Sequence, residues 1–373
     1  MMILLAIVVF IIILGILVFV HELGHFIMAK RAGMRVEEFG FGFPPRIFGI
    51  QKGETLYSIN WIPLGGFVKI VGEDGSDSPD PESFGNKSFW QRFFVLLAGV
   101  TMNVILAWVL ISIGMGLGLP TVLDEGDQLP ASAHIKNQTI GILEVEAKTP
   151  AADAGLKPGD SITKINGQPV GSIQDTQTAT LADAGKPTIF TIKRGSEIFD
   201  KTITPRVNPP SGEGSLGVAL GSVAYVSYPW YQAPYRGGIA VINLIILTVT
   251  TFASLIGQFF QGHNVGAQLS GPVGIAVLTK DVTALGFIYL LQFTAVLSVN
   301  LAIINAVPFP ALDGGRVLFL IIEKIRGKKM PIRAEIWANT IGFMLLLLLM
   351  VVVTVHDVGH YSTQFKNLFH RIF

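Results

Sequence analysis

No charged side chain occurs between Met1 and Val20, nor between Ile341 and Val355. Crossing a bilayer takes roughly 20 apolar residues rising 1.5 Å each, so such runs commit a chain to membrane helices before any other feature is weighed. Residues 93–118 and 284–307 form two more uncharged apolar stretches. Composition agrees: 50% of the 373 residues are hydrophobic and 14% are charged, whereas an average soluble domain carries about 25% charged residues. The first run is a poor signal peptide. It lacks a basic n-region and an A-x-A site, and it continues directly into HELGHFIMAKRAG. The expectation is a polytopic α-helical membrane protein with about four transmembrane helices.

A net charge of +1 argues against nucleic acid or another polyanion as a general partner. With no cysteine in the chain, disulfides, thiolate metal sites and cysteine catalysis are excluded, and a metal would have to be held by His, Asp or Glu. Lys30, Arg31 and Arg35 follow the first run, and Arg316, Lys324, Arg326, Lys328, Lys329 and Arg333 precede the last. The positive-inside rule puts both basic segments in the cytoplasm. Residues 119–235, whose composition is that of a soluble domain, then lie outside, as does the tail with Lys366 and Arg371. Residues 237–260 are also apolar enough to span. A crossing there would place the basic 308–337 loop outside, so an interfacial helix is expected instead.

His21-Glu22-Leu23-Gly24-His25 is the most informative motif. On a helix, residues four apart share a face, so both imidazoles can reach one zinc ion. Glu22 lies beside that face, where it can take a proton from an attacking water. Chance HExxH motifs are common on soluble surfaces, and a polar helix end near Lys30 is the plain alternative. Here the motif continues an uncharged run, and ionisable groups entering a bilayer are expensive and functional by default. A hydrolytic zinc site needs three protein ligands and an open position. His134, His263, His356, His360 and His370 all fall on the outer side in this topology. Asp313, in NAVPFPALDGGR at the end of the 284–307 run, lies on the same side as His25 and is the leading third ligand. By itself LDGG would read as an ordinary Asp-Gly turn.

HELGH, the later LDGG, SGPVGI before the third span and the IPLGGFVKI segment together resemble the bacterial site-2 proteases, most closely the regulator-of-sigma-E protease group. The resemblance runs through nearly the whole chain in the same order. It implies an intramembrane zinc metalloprotease in which His21, His25 and Asp313 bind Zn²⁺ and Glu22 is the general base. It further implies that Asn300 and Asn305 help position substrate. The implied substrates are single-span membrane proteins already shortened by a prior cut, such as anti-sigma factors or signal-peptide remnants. The implied location is the bacterial inner membrane. Oligomeric state stays open.

The segment Thr55–Ile70 has β-branched and aromatic residues around Gly65-Gly66 and is expected to form a β-hairpin turning there. In the family a membrane-dipping hairpin takes this position. Its edge, with Gly65, Gly66 and Phe67, is the candidate for holding substrate extended, because strand addition pairs backbone irrespective of side chain. GFGFPPRIF before it is a candidate second hairpin.

GILEVEAKTPAADAGLKPGDSITKINGQPV reads as strand, short helix at 151–155, turn at 157–160, strand at 161–165 and an Asn166-Gly167 turn. This looks like the core of a bacterial PDZ domain over 138–207, with a candidate peptide-binding loop at Thr139–Leu143. Many sigma-E-type relatives carry two such domains, and this chain has room for one. The expected plan is residues 1–118 with two spans and the hairpin at 55–70, then 119–210 as a periplasmic PDZ domain. A linker and interfacial helix (237–260) occupy 211–283, and the last two spans 284–373. A PDZ adaptor would tolerate a broken HExxH or LDG, and both are intact. A zinc transporter would want polar residues lining several spans, and 93–118 and 338–355 offer few.

Overall fold

A computed structural model describes residues 2–73, 80–123, 129–195, 197–210, 212–262 and 271–360. The first part of the SGPVGI segment, up to Ser270, and the tail with Lys366 and Arg371 lie outside the described residues. The chain divides into two compact units.

In the first unit the uncharged N-terminal run forms α1, Met2–Arg31, which ends where Lys30, Arg31 and Gly33 end the apolar sequence. Two long strands follow, β1 (Val36–Lys52) and β2 (Thr55–Ile70). The chain reverses at Gly53, between paired Lys52 and Thr55, with φ +62°. It reverses again at Gly65-Gly66, as the sequence reading expects: 56–59 pair with 38–41 in parallel and 66–70 pair with the same residues antiparallel, so the two arms flank β1 instead of pairing with each other. A Cβ on Gly65 (φ +129°) would strike Val18 of α1, and one on Gly66 would meet the Gly40 carbonyl oxygen. The two glycines let the reversing chain pack on a helix and a neighbouring strand. GFGFPPRIF also reverses the chain within β1, since 38–41 run parallel and 48–52 antiparallel to the same residues of β2, which lie between them. The first half of β1 is flanked on both sides by β2, with Phe39 opposite Tyr57 on one side and Val68 on the other. Residues 66–70 thus form an outer edge of this small sheet.

The remaining helices are α2 (Phe89–Leu117), α5 (Ala233–Phe260), α6 (Pro272–Leu285), α7 (Phe287–Ala306), α8 (Asp313–Arg326) and α9 (Ile332–His360). Helices α1, α2, α5, α7 and α9 are long and apolar enough to cross a membrane. The segment expected to be interfacial thus matches the others in length and apolarity. In α5 and α9, only 11% and 6% of the most apolar stretch is buried by protein. Apolar surface left uncovered on this scale fits lipid as the surrounding medium.

The second unit holds the strands β3 (Leu119–Leu123), β4 (His134–Val145), β5 (Ser161–Ile165), β6 (Gln168–Pro169), β7 (Thr188–Arg194), β8 (Glu197–Ile203) and β9 (Val218–Ser227). They form one sheet in the order β3-β9-β4-β5-β7-β8, with β6 paired to β5. Helix α3 (Pro150–Asp153) starts on Thr149, whose hydroxyl caps Ala152 N–H, and α4 (Ile173–Ala182) starts on Ser172 in the same way. The strand at 161–165 and the turn at Asn166 (φ +48°) and Gly167 (φ +79°) match the sequence reading. The core is Ile142, Ala151, Leu156, Ile162, Phe190 and Ile192 with their neighbours.

Two expectations are corrected here. The domain does not close at residue 210, because β9, from the expected linker, pairs with β4. Thr139–Leu143 is no open loop either. It lies inside β4, where Ile140 pairs with Ser222 on one side and Ile162 on the other, so its backbone is already used. Pairing of β3 with β9 begins at Ser222, which leaves Val218–Gly221 without a strand on that side among the described residues.

Asp160, from the KPGD turn, is buried and takes a two-pronged contact from Arg194, at 2.6 and 2.7 Å. It also accepts the Lys157 N–H at 2.9 Å. Asp160→Ala leaves the guanidinium on the Gly155 carbonyl, which it reaches at 2.8 Å, and loss of the charge-assisted bonds to Asp160 should cost about 1.5–3 kcal/mol. Thermal unfolding followed by protease susceptibility of this domain should show the loss, and an unchanged midpoint would refute the assigned weight.

Candidate active site

The HELGH turn of α1 places His21 and His25 one above the other, both buried. Asp313 comes from the first residue of α8. Its Oδ2 lies 3.0 Å from His21 Nε2 and 3.2 Å from His25 Nε2. The two Nε2 atoms are 3.3 Å apart. Ligand atoms each about 2.05 Å from a tetrahedral ion sit roughly 3.3 Å from one another. The triangle therefore has the size of one face of a zinc site. Among the described residues these three alone form such a group.

The imidazoles are oriented from behind. His25 Nδ1 lies 2.8 Å from the Val95 carbonyl, so Nδ1 carries the hydrogen and Nε2 keeps its lone pair for a metal. His21 Nδ1 lies 3.2 Å from the side-chain nitrogen of Asn103, while Asn103 Oδ1 is buried without a partner. With the two ends of that amide exchanged, its oxygen faces His21 Nδ1. Asn103 Oδ1 then accepts the His21 Nδ1–H and leaves Nε2 free. Asn103 is itself fully buried, and Ser298 of α7 donates to its backbone carbonyl at 2.8 Å.

One turn earlier on α2, a Cβ on Gly99 would run into His25 Nε2 and the His21 ring. At the same crossing, a Cβ on Gly24 would strike the Ala98 carbonyl. Small residues let the two backbones meet, and only a glycine at 99 leaves room for both imidazoles. Gly314 and Gly315 act alike after Asp313. Their missing side chains make room for the carbonyls of Ala306, Val307 and Phe309.

Glu22 points to the other side of the motif, where its Oε2 accepts the Val68 N–H at 3.1 Å. That N–H is directed away from β1, so the outer edge of β2 meets the HELGH turn. A cleft of about 520 Å³ opens there, lined by Glu22, His25, Phe67, Val68, Ala311 and Asp313 among others. Phe67 stacks on Phe43, with centroids 6.4 Å apart and planes at 19°. Glu73, just after the edge strand, pairs with Arg316, one turn along α8 from Asp313. Arg92 of α2 pairs with Glu323 of α8 at 3.0 Å.

Of the sequence-predicted residues, Glu22, His25, Asp313 and Phe67 line this cleft, and His21 sits behind it against His25 and Asp313. Gly65 and Gly66 shape the strand without lining it. Asn300 and Asn305, on α7, are also not among the lining residues. Asn300 Oδ1 lies 3.5 Å from the Thr248 hydroxyl of α5. Gly99, Asn103, Glu73 and Arg316 escaped the sequence reading. The signal for Asn103 was present: an amide in the middle of an uncharged span.

This is a membrane protein with a buried, zinc-sized His₂Asp site beside a carboxylate and an open strand edge. Residues 9–349 match peptidase family M50, and the chain belongs to that family. It is a zinc metalloprotease embedded in a membrane. It is 32% identical to the regulator of sigma-W protease RasP of Bacillus subtilis, over 94% of this chain and 98% of that one. To the zinc metalloprotease RasP of Geobacillus kaustophilus it is 31% identical, over 95% and 97%. A zinc-metalloprotease homologue of Clostridium acetobutylicum is 36% identical over 94% and 97%. Among solved structures, the PDZ domain of an SdrC-like protein of Listeria monocytogenes covers 23% of this chain and 92% of its own length, at 24% identity and a TM-score of 0.21.

Proposed function

We propose that His21, His25 and Asp313 hold the zinc, that Glu22 is the general base, and that the substrates are single-span membrane proteins shortened by an earlier cut. The observation that carries this reading is the zinc-sized triangle of His21, His25 and Asp313 beside Glu22. Zinc on these ligands supplies a Lewis acid that polarises the scissile carbonyl and brings the pKa of water toward about 7. Glu22 takes the proton from the attacking water and delivers it to the leaving amine.

The carbonyls of a membrane helix are already bonded within the helix, so the substrate must unwind before it can be cut. The edge at 66–70 offers replacement backbone partners. A substrate carbonyl that accepts the Val68 N–H displaces Glu22 from that contact and frees the carboxylate for the water. Asn300 and Asn305 would steady the substrate from α7.

Four spans, α1, α2, α7 and α9, with α5 interfacial, put the end of α1 and the start of α8 on the cytoplasmic side of a bacterial inner membrane. The β3–β9 domain is then periplasmic. As a PDZ-like domain it filters substrates by size or binds their ends along the Val218–Gly221 edge, which has no β3 partner among the described residues. RasP of B. subtilis is named for regulating sigma-W, and anti-sigma factors or signal-peptide remnants are the substrate classes proposed here.

Purified protein in detergent should cut a truncated single-span substrate within its span, as mapped by mass spectrometry. Chelation should abolish the cut and added zinc restore it, while the same substrate with its full outer domain should resist. Cleavage that persists after zinc is stripped would sink the proposal, and equal cutting of both substrates would sink the size filter.

A further inference from the structure

Asn339 sits in α9, and nothing in its sequence neighbourhood ties it to the HELGH turn. We infer that Asn339 is a positioning residue for Asp313, acting through the backbone of Ala311. The inference rests on the reading of Asp313 as a zinc ligand.

Ala311 has φ +76°, a left-handed conformation that residues with a Cβ seldom adopt. Its N–H donates to Asn339 Oδ1 at 3.0 Å. Close approach of α9 to this loop depends on Gly342, where a Cβ would strike the Pro310 carbonyl. On the opposite side the loop is pressed against the end of α7, since Gly314 and Gly315 have no room for side chains. Two residues after Ala311, Asp313 opens α8 with its carboxylate 3.0 and 3.2 Å from the two imidazoles. Ala311 also lines the cleft.

An alanine does not hold a positive φ by its own preference, so something outside the loop must hold it. The Asn339 amide is that support. Without it the backbone at 311 relaxes toward negative φ, and the direction of the chain entering α8 changes. The Asp313 carboxylate then leaves the triangle, while His21 and His25, fixed on α1, stay in place. Asn339 thus belongs to the outer support of the metal site, although it touches no ligand. Outer partners of metal ligands typically contribute 10–100-fold to metal affinity.

The test follows zinc retention by the full-length protein in detergent against a graded chelator series, independently of proteolysis. Asn339→Leu, or Asn339→Ala if the leucine variant does not fold, should lose zinc about 10–100-fold more readily than wild type. Adding Ala311→Gly should restore retention to within about threefold, because glycine adopts positive φ freely. Ala311→Gly alone should hold zinc against the chelator as wild type does. Wild-type retention in the Asn339 variants, or a loss that Ala311→Gly does not repair, overturns the inference. Asp313→Asn is the control. If it keeps zinc, the ligand assignment fails; if it loses zinc while the Asn339 variants do not, only the role of Asn339 falls.

Discussion

Glu22→Gln is expected to bind zinc as the wild type does and to cut nothing measurable. The two properties separate because Glu22 points away from the triangle formed by His21, His25 and Asp313. A glutamine keeps the shape, and its amide oxygen still accepts the Val68 N–H that Glu22 receives at 3.1 Å. The helix, the strand edge and the three side chains of the triangle are therefore undisturbed. What disappears is a group able to take a proton from water. General acid–base groups contribute about 10²–10⁴-fold, and here one carboxylate serves both proton transfers, so a loss near the upper end is expected. Single-turnover cleavage of the truncated substrate, together with zinc analysis of the same preparation, measures both quantities. A variant that cuts within tenfold of wild type would remove Glu22 from the chemistry. A variant that loses its zinc would mean that Glu22 is a ligand instead.

The second large effect runs against local propensity. Gly99 lies within α2, where alanine should strengthen the helix by about 1 kcal/mol. Gly99→Ala is nonetheless expected to leave the protein folded and nearly free of zinc. The added methyl would occupy the place of His25 Nε2 and the His21 ring. Helix α2 has little freedom to retreat, because the Val95 carbonyl holds His25 at 2.8 Å and Ala98 packs against Gly24. The imidazoles must move instead, and a triangle with edges of 3.0–3.3 Å has no slack to give. Gly257→Ala in α5 is the matched control, since a Cβ there meets nothing within 4 Å. Zinc per chain and helicity by circular dichroism should diverge in the first variant and stay together in the second. Full zinc occupancy in Gly99→Ala would show that the site is looser than this packing implies.

Much of the molecule was legible along the chain because the signals are local. An uncharged run of apolar residues has one solution in lipid, so α1, α2, α7 and α9 could be marked from hydropathy alone. HELGH carries its own geometry, because four-residue spacing on a helix fixes which side chains share a face. Asp313 could be proposed as the partner from parity of crossings and the lack of other ligands. The Asn166-Gly167 turn and the 161–165 strand followed from turn chemistry in the same way.

What only the tertiary structure decided depends on close approach between segments distant in sequence. Gly65-Gly66 lies at the turn its composition signals, but that its two arms flank β1, and that both glycines admit Val18 and Gly40, depends on segments distant in sequence. Strand β9 lies outside the expected domain core because its partner, β4, is far back in the chain. The same pairing closes the Thr139–Leu143 backbone that sequence alone left open. Gly99 reads as an ordinary membrane-helix residue until α1 is laid across it. The amino-acid sequence by itself determined the chemistry this protein carries, since ligand type and helical spacing are properties of a short segment. The folded structure determined how that chemistry is held, because orientation of an imidazole or a carboxylate is set by whichever backbone arrives beside it.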